Sequence, residues 1–416
     1  MSTRNGKPAI FLLVGDGLSA FGTWIDFLAI LTLAAYQFHV TPYQMALVSA
    51  VGLLPGILAA SRIGKLCDRA NPKHLLLLSI GFRVVATAGI LFCSDFIVFV
   101  ALVGVRSVFT TVAGPAINVM AMRTIEASER TRFYSLLNVL NSTAKIIAPA
   151  MGTVSSSLAS ETLALLMSAT FSAASLVAFA FVRIEPRAAN GQRNGPLEPA
   201  VSEVPNLLPL IWVAATYAFA VFMVNNLFPL VLQQAGLDKS LLGVLISCSG
   251  AGNILCGLWL AKRSATAQLK GKVAEVIAPA LWQSAGFGLI GVVLWAQLHL
   301  VKDHATWVLP LVFFAIGTVS ARFAIALNVY MSSHYASSIG RVSGVVQAWQ
   351  SCMIFVAPMM GAVVLDRFGG PALFWFSTGA ATISFAVFWL VSAPSRRRLE
   401  ARCATDEAGS TFRKLA

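Results

Sequence analysis

Charged side chains are scarce in this chain of 416 residues: Asp, Glu, Lys and Arg make up 11% of it, whereas hydrophobic residues make up 57%. A soluble domain carries about 25% charged residues, so this composition excludes an ordinary soluble protein. Apolar runs of about 20 residues or more, each long enough to cross a bilayer core, are abundant instead. We predict twelve spans, at roughly 9–37, 43–63, 74–94, 97–121, 134–157, 162–182, 207–234, 240–261, 273–298, 306–330, 341–364 and 371–392.

Cysteine and histidine are also few, with six and five residues. None of them shows metal-ligand spacing, so we expect neither a metal site nor a disulfide framework. A glycine-rich phosphate loop of the Walker type is missing too, which argues against transport driven by ATP. The sequence therefore predicts a protein that is not an enzyme and needs no cofactor.

The Lys and Arg residues that give the chain its net charge of +13 follow the predicted membrane topology. Nearly all Lys and Arg fall in the N-terminus, in every second connection and in the C-terminal tail. By the positive-inside rule, this pattern predicts a multi-pass protein with both termini in the cytoplasm. The compact loops are typical of the cell inner (plasma) membrane. The basic charge then indicates contact with anionic membrane lipid and excludes a nucleic-acid partner.

A polar stretch rich in Pro and Gly, at 184–206, is typical of a flexible cytoplasmic linker. It separates an N-terminal six-helix bundle (1–183) from a C-terminal one (207–394), which a basic cytoplasmic tail (395–416) follows. The bundles repeat each other, since 148–152 reads APAMG and 357–361 reads APMMG. The predicted fold is an all-α membrane protein with twelve transmembrane helices in two pseudo-symmetric six-helix bundles, an architecture typical of transporters.

Ionisable residues inside predicted spans are candidates for function, because a charge at mid-bilayer costs about 2.5–3.5 kcal/mol. Asp16 and Asp26 share one face of span 1 with Ser19 and Thr23, so this polar stripe should line the cavity between the bundles. Asp26 lies near mid-depth, whereas Asp16 is interpreted as a solvated carboxylate nearer the cytoplasm.

Basic and amide side chains interrupt other spans. Lys145 shares a face of span 5 with Asn138 and Asn141, whereas Arg83 and Arg106 lie near mid-depth. The amide pair at 225 and 226, Asn225 and Asn226, breaks the apolar run of span 7. With Arg322, the bases outnumber the two intramembrane acids, so the cavity should favour an anionic or zwitterionic substrate.

Several motifs resemble the major facilitator superfamily. The stretch 64–73, with Gly64, Asp68 and Arg69, is similar to its loop signature, although Asn71 stands at a glycine position and Asn tolerates positive φ. The stretches 53–56 and 339–342 resemble the drug- and siderophore-exporting branch. Arg106, followed by a Gly-Pro pair at 114–115, looks like the fourth-helix arginine of proton antiporters.

The resemblance implies a conformational latch, and the charges within the predicted spans indicate a proton site. Asp68, with Gly64 and Arg69, would hold the two bundles together by meeting the N-terminus of the eleventh helix, where Arg341 lies. Asp26 would carry the proton and Arg106 would be its partner. The alternative for the buried charges is a set of static ion pairs that fix helix packing.

The substrate site is assigned to Lys145, Asn138, Asn141, Asn225, Asn226 and Arg83. For the span 7 amides, hydrogen bonding between helices remains an alternative. We expect a monomeric, proton-coupled secondary transporter that exports a small amphipathic molecule, a drug or a siderophore-like metabolite, by alternating access. Two alternatives stay open: a lysophospholipid or lipid transporter of the same fold, and a non-transporting membrane sensor or scaffold.

Overall fold

The computed structural model describes residues 6–38, 42–158, 161–182, 207–225, 227–237, 239–263, 269, 271–299 and 304–415. Every regular element within these ranges is helical. This is the expected outcome for a chain of apolar runs, because a hydrocarbon core offers the backbone no hydrogen-bond partners and a helix satisfies them internally.

We divide the helices at the predicted linker into two sets, which we call the N-terminal half and the C-terminal half. The N-terminal half consists of α1 (Gly6–Thr32), α2 (Pro42–Leu58), α3 (Ala60–Arg69), α4 (Pro72–Leu91), α5 (Phe96–Thr110), α6 (Ala113–Thr124), α7 (Arg130–Leu158) and α8 (Glu161–Ala180). The C-terminal half consists of α9 (Leu208–Asn225), α10 (Phe228–Gln234), α11 (Lys239–Lys262), α12 (Val273–His299), α13 (His304–His334) and α14 (Ile339–Leu415). The predicted linker and Asn226 lie outside the described residues.

The lengths of these helices confirm an all-helical membrane fold. Within the described ranges, nine helices are long and apolar enough to cross a membrane, and the bent pair α2–α3 adds a tenth. The 77-residue α14 covers two predicted spans, because Gly369 breaks it with φ 80° and ψ 176°. The 29-residue α7 contains the predicted span 134–157. The structure is therefore consistent with twelve spans.

Large apolar side chains cover the outside of the bundle. Phe92 is 88% exposed and Trp307 is 78% exposed, and many Leu, Val and Ile side chains accompany them. An apolar surface of this extent faces lipid. The interior is closed by side chains such as Phe99, Phe179 and Phe374, which are almost fully buried.

Two predicted spans are interrupted. Span 2 bends by 51° between α2 and α3, four residues after Pro55, whose missing N–H weakens the helix locally. Span 4 divides into α5 and α6 at a turn, and Pro115 falls in the first turn of α6, where a proline is tolerated. The apolar composition of these runs does not indicate either break, although a proline lies close to each of them.

The loop between α3 and α4 shows how Asn71 fits at a glycine position. Asn71 has φ −76°, so it does not use the positive φ that its glycine position suggested. Its side chain instead accepts a hydrogen bond from the backbone N–H of Lys73 at 3.1 Å, and Pro72 occupies the first position of α4. Asn71 is therefore an N-cap, a role that glycine fills without a side-chain bond.

The two halves pack together most closely on one face of the molecule. There α3 and α6 contact α14, while α7 contacts α11 and α13. Small residues allow this approach: Gly64 lies against the backbone of Gly340, and Gly344 lies against the carbonyl of Ala60. We call this surface the Asp68 face, after the residue at the end of α3. The structure is closed at this face.

Candidate functional site

A buried ion pair joins α1 to α5. The Nε of Arg106 donates to Oδ2 of Asp26, and the two residues are 7% and 1% exposed. Thr87 of α4 also donates to Oδ2, at 3.3 Å. The second oxygen of Asp26 and Nη2 of Arg106 have no hydrogen-bond partner among the described residues. A buried carboxylate held mainly by one cation can respond strongly to protonation, because the proton removes the charge that the cation compensates.

Arg83 lies beside this pair and is held by hydroxyl groups. It donates to Thr23 at 3.0 Å, to Ser19 at 3.1 Å and to Ser172 at 3.0 Å, and it is 3% exposed. These bonds join α4 to α1 and α8. Arg83, predicted to bind substrate, is thus largely committed to bonds within the N-terminal half.

The polar stripe of α1 faces a cavity of about 330 Å³. Asp16, Ser19, Thr23 and Arg83 line this polar cavity, together with residues that include Asn328 of the C-terminal half. Asp26 itself is turned to Arg106. Asp16 was interpreted as solvated, but it is half-buried and accepts a hydrogen bond from Asn141 at 2.8 Å. Asn141, predicted to bind substrate, therefore contacts Asp16 in the wall of the polar cavity.

A second, larger cavity of about 410 Å³ lies between α7 and the C-terminal half. Lys145 and Asn225, both predicted to bind substrate, line this aromatic cavity, and both are exposed. Most of its wall is apolar and comes from the C-terminal half. The prediction for Asn226 lies outside the described residues.

Asn138 contacts another amide across the halves. Its Nδ2 donates to Oδ1 of Asn253 at 2.7 Å, and Ser142 donates to the same oxygen at 2.9 Å. Asn253, which also lines the aromatic cavity, was not predicted. Its one signal in the sequence is a lone amide within the apolar run of span 8.

The carboxylate of Asp68 caps the N-terminus of α14. It accepts hydrogen bonds from the backbone N–H of Gly340 at 2.8 Å and of Arg341 at 2.7 Å. This geometry agrees with the latch position implied by the resemblance, while the role in transport stays a prediction. Arg341 takes part through its backbone, and Arg69 is exposed.

Another bond crosses the halves near the latch and was not predicted. Asn118 of α6 donates to the hydroxyl of Ser343 at 2.8 Å, one turn after Gly340 on α14. Asn118 lies in the stretch 116–119, AINV, which is similar to ALNV at 326–329. This repeat does not show that the side chain has a hydroxyl partner in another span. The closed face therefore combines backbone capping with a side-chain bond.

The described residues contain no group of three or more His, Cys, Asp or Glu that could hold a metal ion. What the fold provides is a set of membrane-spanning helices around buried charges and two cavities, each lined by residues of both halves. That combination defines a membrane transporter.

The particular family follows from comparison with known proteins. The family model described as Major Facilitator Superfamily matches residues 12–358, and the chain belongs to this superfamily. It is therefore a multi-pass membrane transporter of small molecules and not an enzyme.

One curated relative is the uncharacterized MFS-type transporter YfiS of Bacillus subtilis (strain 168), 25% identical over 95% of this chain and 96% of that protein. Among solved structures, the human organic anion transporter MFSD10 (TETRAN) is similar with a TM-score of 0.69 and 17% identity, over 92% of this chain and 99% of that one. A bacterial homologue of the iron transporter ferroportin in an outward-facing state has a TM-score of 0.68 and 13% identity, over 93% and 99%. At these identities, both structures support the fold alone.

Proposed function

We propose that this transporter is a proton-coupled exporter of a small amphipathic organic molecule, such as a drug or a siderophore-like metabolite. It would lie in the inner membrane with both termini in the cytoplasm and work as a monomer by alternating access. The observation on which this proposal rests is the buried ion pair between Asp26 and Arg106.

The pair supports proton coupling for a physical reason. A guanidinium group does not release its proton in proteins, whereas a carboxylate can accept one, so the proposal assigns the proton to Asp26. A proton on Asp26 would weaken its bond to Arg106 and release α1 from α5. The two helices would then adjust separately, and the bundle could favour a different arrangement of its halves.

The polar cavity supports a route to the pair. Ser19 and Thr23 lie between Asp16 and Asp26 along the same face of α1. Arg83 donates a hydrogen bond to each of the two hydroxyl groups. Water in this cavity would contact Thr23 and Arg83, which lie near the ion pair. The aromatic cavity, on the other side of α7, would hold the transported molecule.

The test is a flux measurement in liposomes that contain a pH-sensitive dye. Wild-type protein and Asp26→Asn are reconstituted, and a hydrophobic drug or the catecholate 2,3-dihydroxybenzoate is added. We expect proton movement with one of these compounds in the wild type and its loss in Asp26→Asn. Asp366→Asn removes an exposed carboxylate of α14 and serves as the matched control.

The result can contradict the proposal in two ways. Transport of a compound without proton movement in the wild type would leave a facilitator or another coupling ion. Proton movement that persists in Asp26→Asn would make the ion pair a static element of helix packing. Size-exclusion profiles of both variants show whether a loss of activity is a loss of folding.

A further inference from the structure

The aromatic cavity has a wall of four phenyl rings. Phe228 lies 5.0 Å from Phe313 and 5.8 Å from Phe374, measured between ring centroids, and Phe374 lies 6.2 Å from Phe287. All four rings line the cavity, and all belong to the C-terminal half. A volume of about 410 Å³ with such a lining suits a drug-sized molecule with a flat apolar body.

Lys145 is the one charged side chain among the described residues that line this cavity. No carboxylate in the described part of the chain forms an ion pair with it. Its Nζ lies 5.8 Å from the ring centroid of Trp24, within the range of a cation–π contact. Within the membrane this contact compensates the charge only in part, and an anion in the cavity would add an ion pair.

Gln283 adds an acceptor to the same cavity. It is 3% exposed, and its Oε1 has no hydrogen-bond partner among the described residues. Gln283 precedes Phe287 by one turn of α12, so the amide and a phenyl ring lie on one face of that helix. A buried acceptor without a partner is unfavourable, so a donor on a bound molecule would be favoured here.

We infer that the aromatic cavity binds an organic anion with a flat, aromatic body: its anionic group meets Lys145, its rings lie among the four phenyl groups, and a donor on it meets Gln283. The inference rests on the proposed transport function and names its substrate class. It also assigns Gln283 and the four phenylalanines to the site.

The ligand would connect the two halves. Lys145 is on α7 of the N-terminal half, whereas Gln283 and the phenyl rings are on α10, α12, α13 and α14 of the C-terminal half. An anion held at both ends is bound best when the halves are at one relative position. Its binding would therefore change the populations of the transport states.

Calorimetric titration of the purified full-length protein in nanodiscs tests the inference. The probes are 2-naphthoate and 2-naphthamide, which share rings and size but differ in charge, with empty nanodiscs as the blank. We expect the wild type to bind the carboxylate about 10-fold more tightly than the amide, a ratio that corresponds to one charge-assisted hydrogen bond. In Lys145→Met this ratio should fall to about one, and Lys145→Arg should retain most of it.

A second comparison isolates the acceptor. 6-Hydroxy-2-naphthoate should bind several-fold more tightly than 2-naphthoate to the wild type, and equally to Gln283→Leu. Lys262→Met removes an exposed positive charge at the far end of α11 and should leave all ratios unchanged.

Equal affinity of the wild type for the carboxylate and the amide would overturn the inference, as would absence of binding of both probes or a preference that survives in Lys145→Met. These outcomes are independent of proton coupling. Carboxylate preference without proton movement in liposomes would refute only the coupling. Proton-coupled flux of other compounds without that preference would refute only the substrate class.

Discussion

The two halves of this transporter differ in where they keep charge and where they keep aromatic surface. The N-terminal half buries Asp26, Arg83 and Arg106, whereas the intramembrane base of the C-terminal half, Arg322, is exposed. The C-terminal half supplies the phenyl rings of the aromatic cavity. The difference favours a mechanism in which the N-terminal half responds to protons and the C-terminal half accommodates the ligand. Lys145, on α7 of the N-terminal half, would contact that ligand.

The largest expected effect comes from breaking the buried ion pair of the N-terminal half. Arg106→Met leaves the Asp26 carboxylate buried and unpaired, and removal of one partner of a buried pair costs about 3–5 kcal/mol. We expect a large drop in the thermal unfolding midpoint, measured by size exclusion after heating, and recovery of most of it in the double variant Asp26→Asn/Arg106→Met. Arg322→Met, which removes an exposed arginine of the C-terminal half, should change little. A double variant as unstable as the single one would show that shape, and not charge, is responsible.

The next effect concerns the contact between the halves at the Asp68 face. Asp68→Asn keeps the shape but removes the charge that accepts two backbone N–H groups, and such bonds contribute about 1.5–3 kcal/mol each. We expect the population open at this face to rise at least about 10-fold, as measured by electron–electron resonance distances between spin labels on α3 and α14. Arg69→Gln, one residue away and exposed, should give a much smaller shift. Equal shifts in the two variants would show that any change of charge in this loop opens the face.

A smaller loosening of the same face should follow from Gly64→Ala. The added methyl group would meet the carbonyl of Gly340, and overpacking costs about 1–3 kcal/mol. The same distance measurement should again show more of the open population. Gly52→Ala is the matched control, because a methyl group there meets nothing within 4 Å. If both glycine variants behave alike, backbone flexibility rather than close packing explains the result.

The smallest effect separates packing from substrate contact along α7. Asn138→Ala removes one hydrogen bond to Asn253, and Asn253→Ala removes that bond together with the one from Ser142. Each bond between helices contributes about 0.6 kcal/mol, so the unfolding midpoint should fall slightly in the first variant and further in the second. A large loss of transport in Asn138→Ala with an unchanged midpoint would instead support its predicted role in substrate binding.

The helices and three of the charged site residues are predictable from the sequence. Apolar runs indicated the helices, because length and composition are sufficient for a membrane span. Asp26 and Arg106 stood out because charges at mid-depth are expensive, and the structure pairs them. Asp68 was found through a motif, and it lies at the N-terminus of α14 as the motif implies.

Other features depend on the tertiary arrangement and left little trace in the chain. Asn253 and Gln283 are single amides in apolar runs, and nothing in the sequence shows that one pairs with Asn138 and the other keeps a free acceptor. The bend between α2 and α3 arises where Pro55 weakens a helix that also has to pack against α14. The capping role of Asn71 was not predicted, because its glycine position drew attention to the backbone conformation and not to the side chain.

Hydrogen exchange at the cap of α14 would also report how often the Asp68 face opens during the transport cycle. The first backbone N–H groups of a helix have no partner within the helix, so those of Gly340 and Arg341 are protected from solvent only while Asp68 accepts them. Each opening of the Asp68 face would expose both amides to exchange with deuterium. The rate of deuterium uptake at these two positions, followed by mass spectrometry, would report how often the halves separate, without any label.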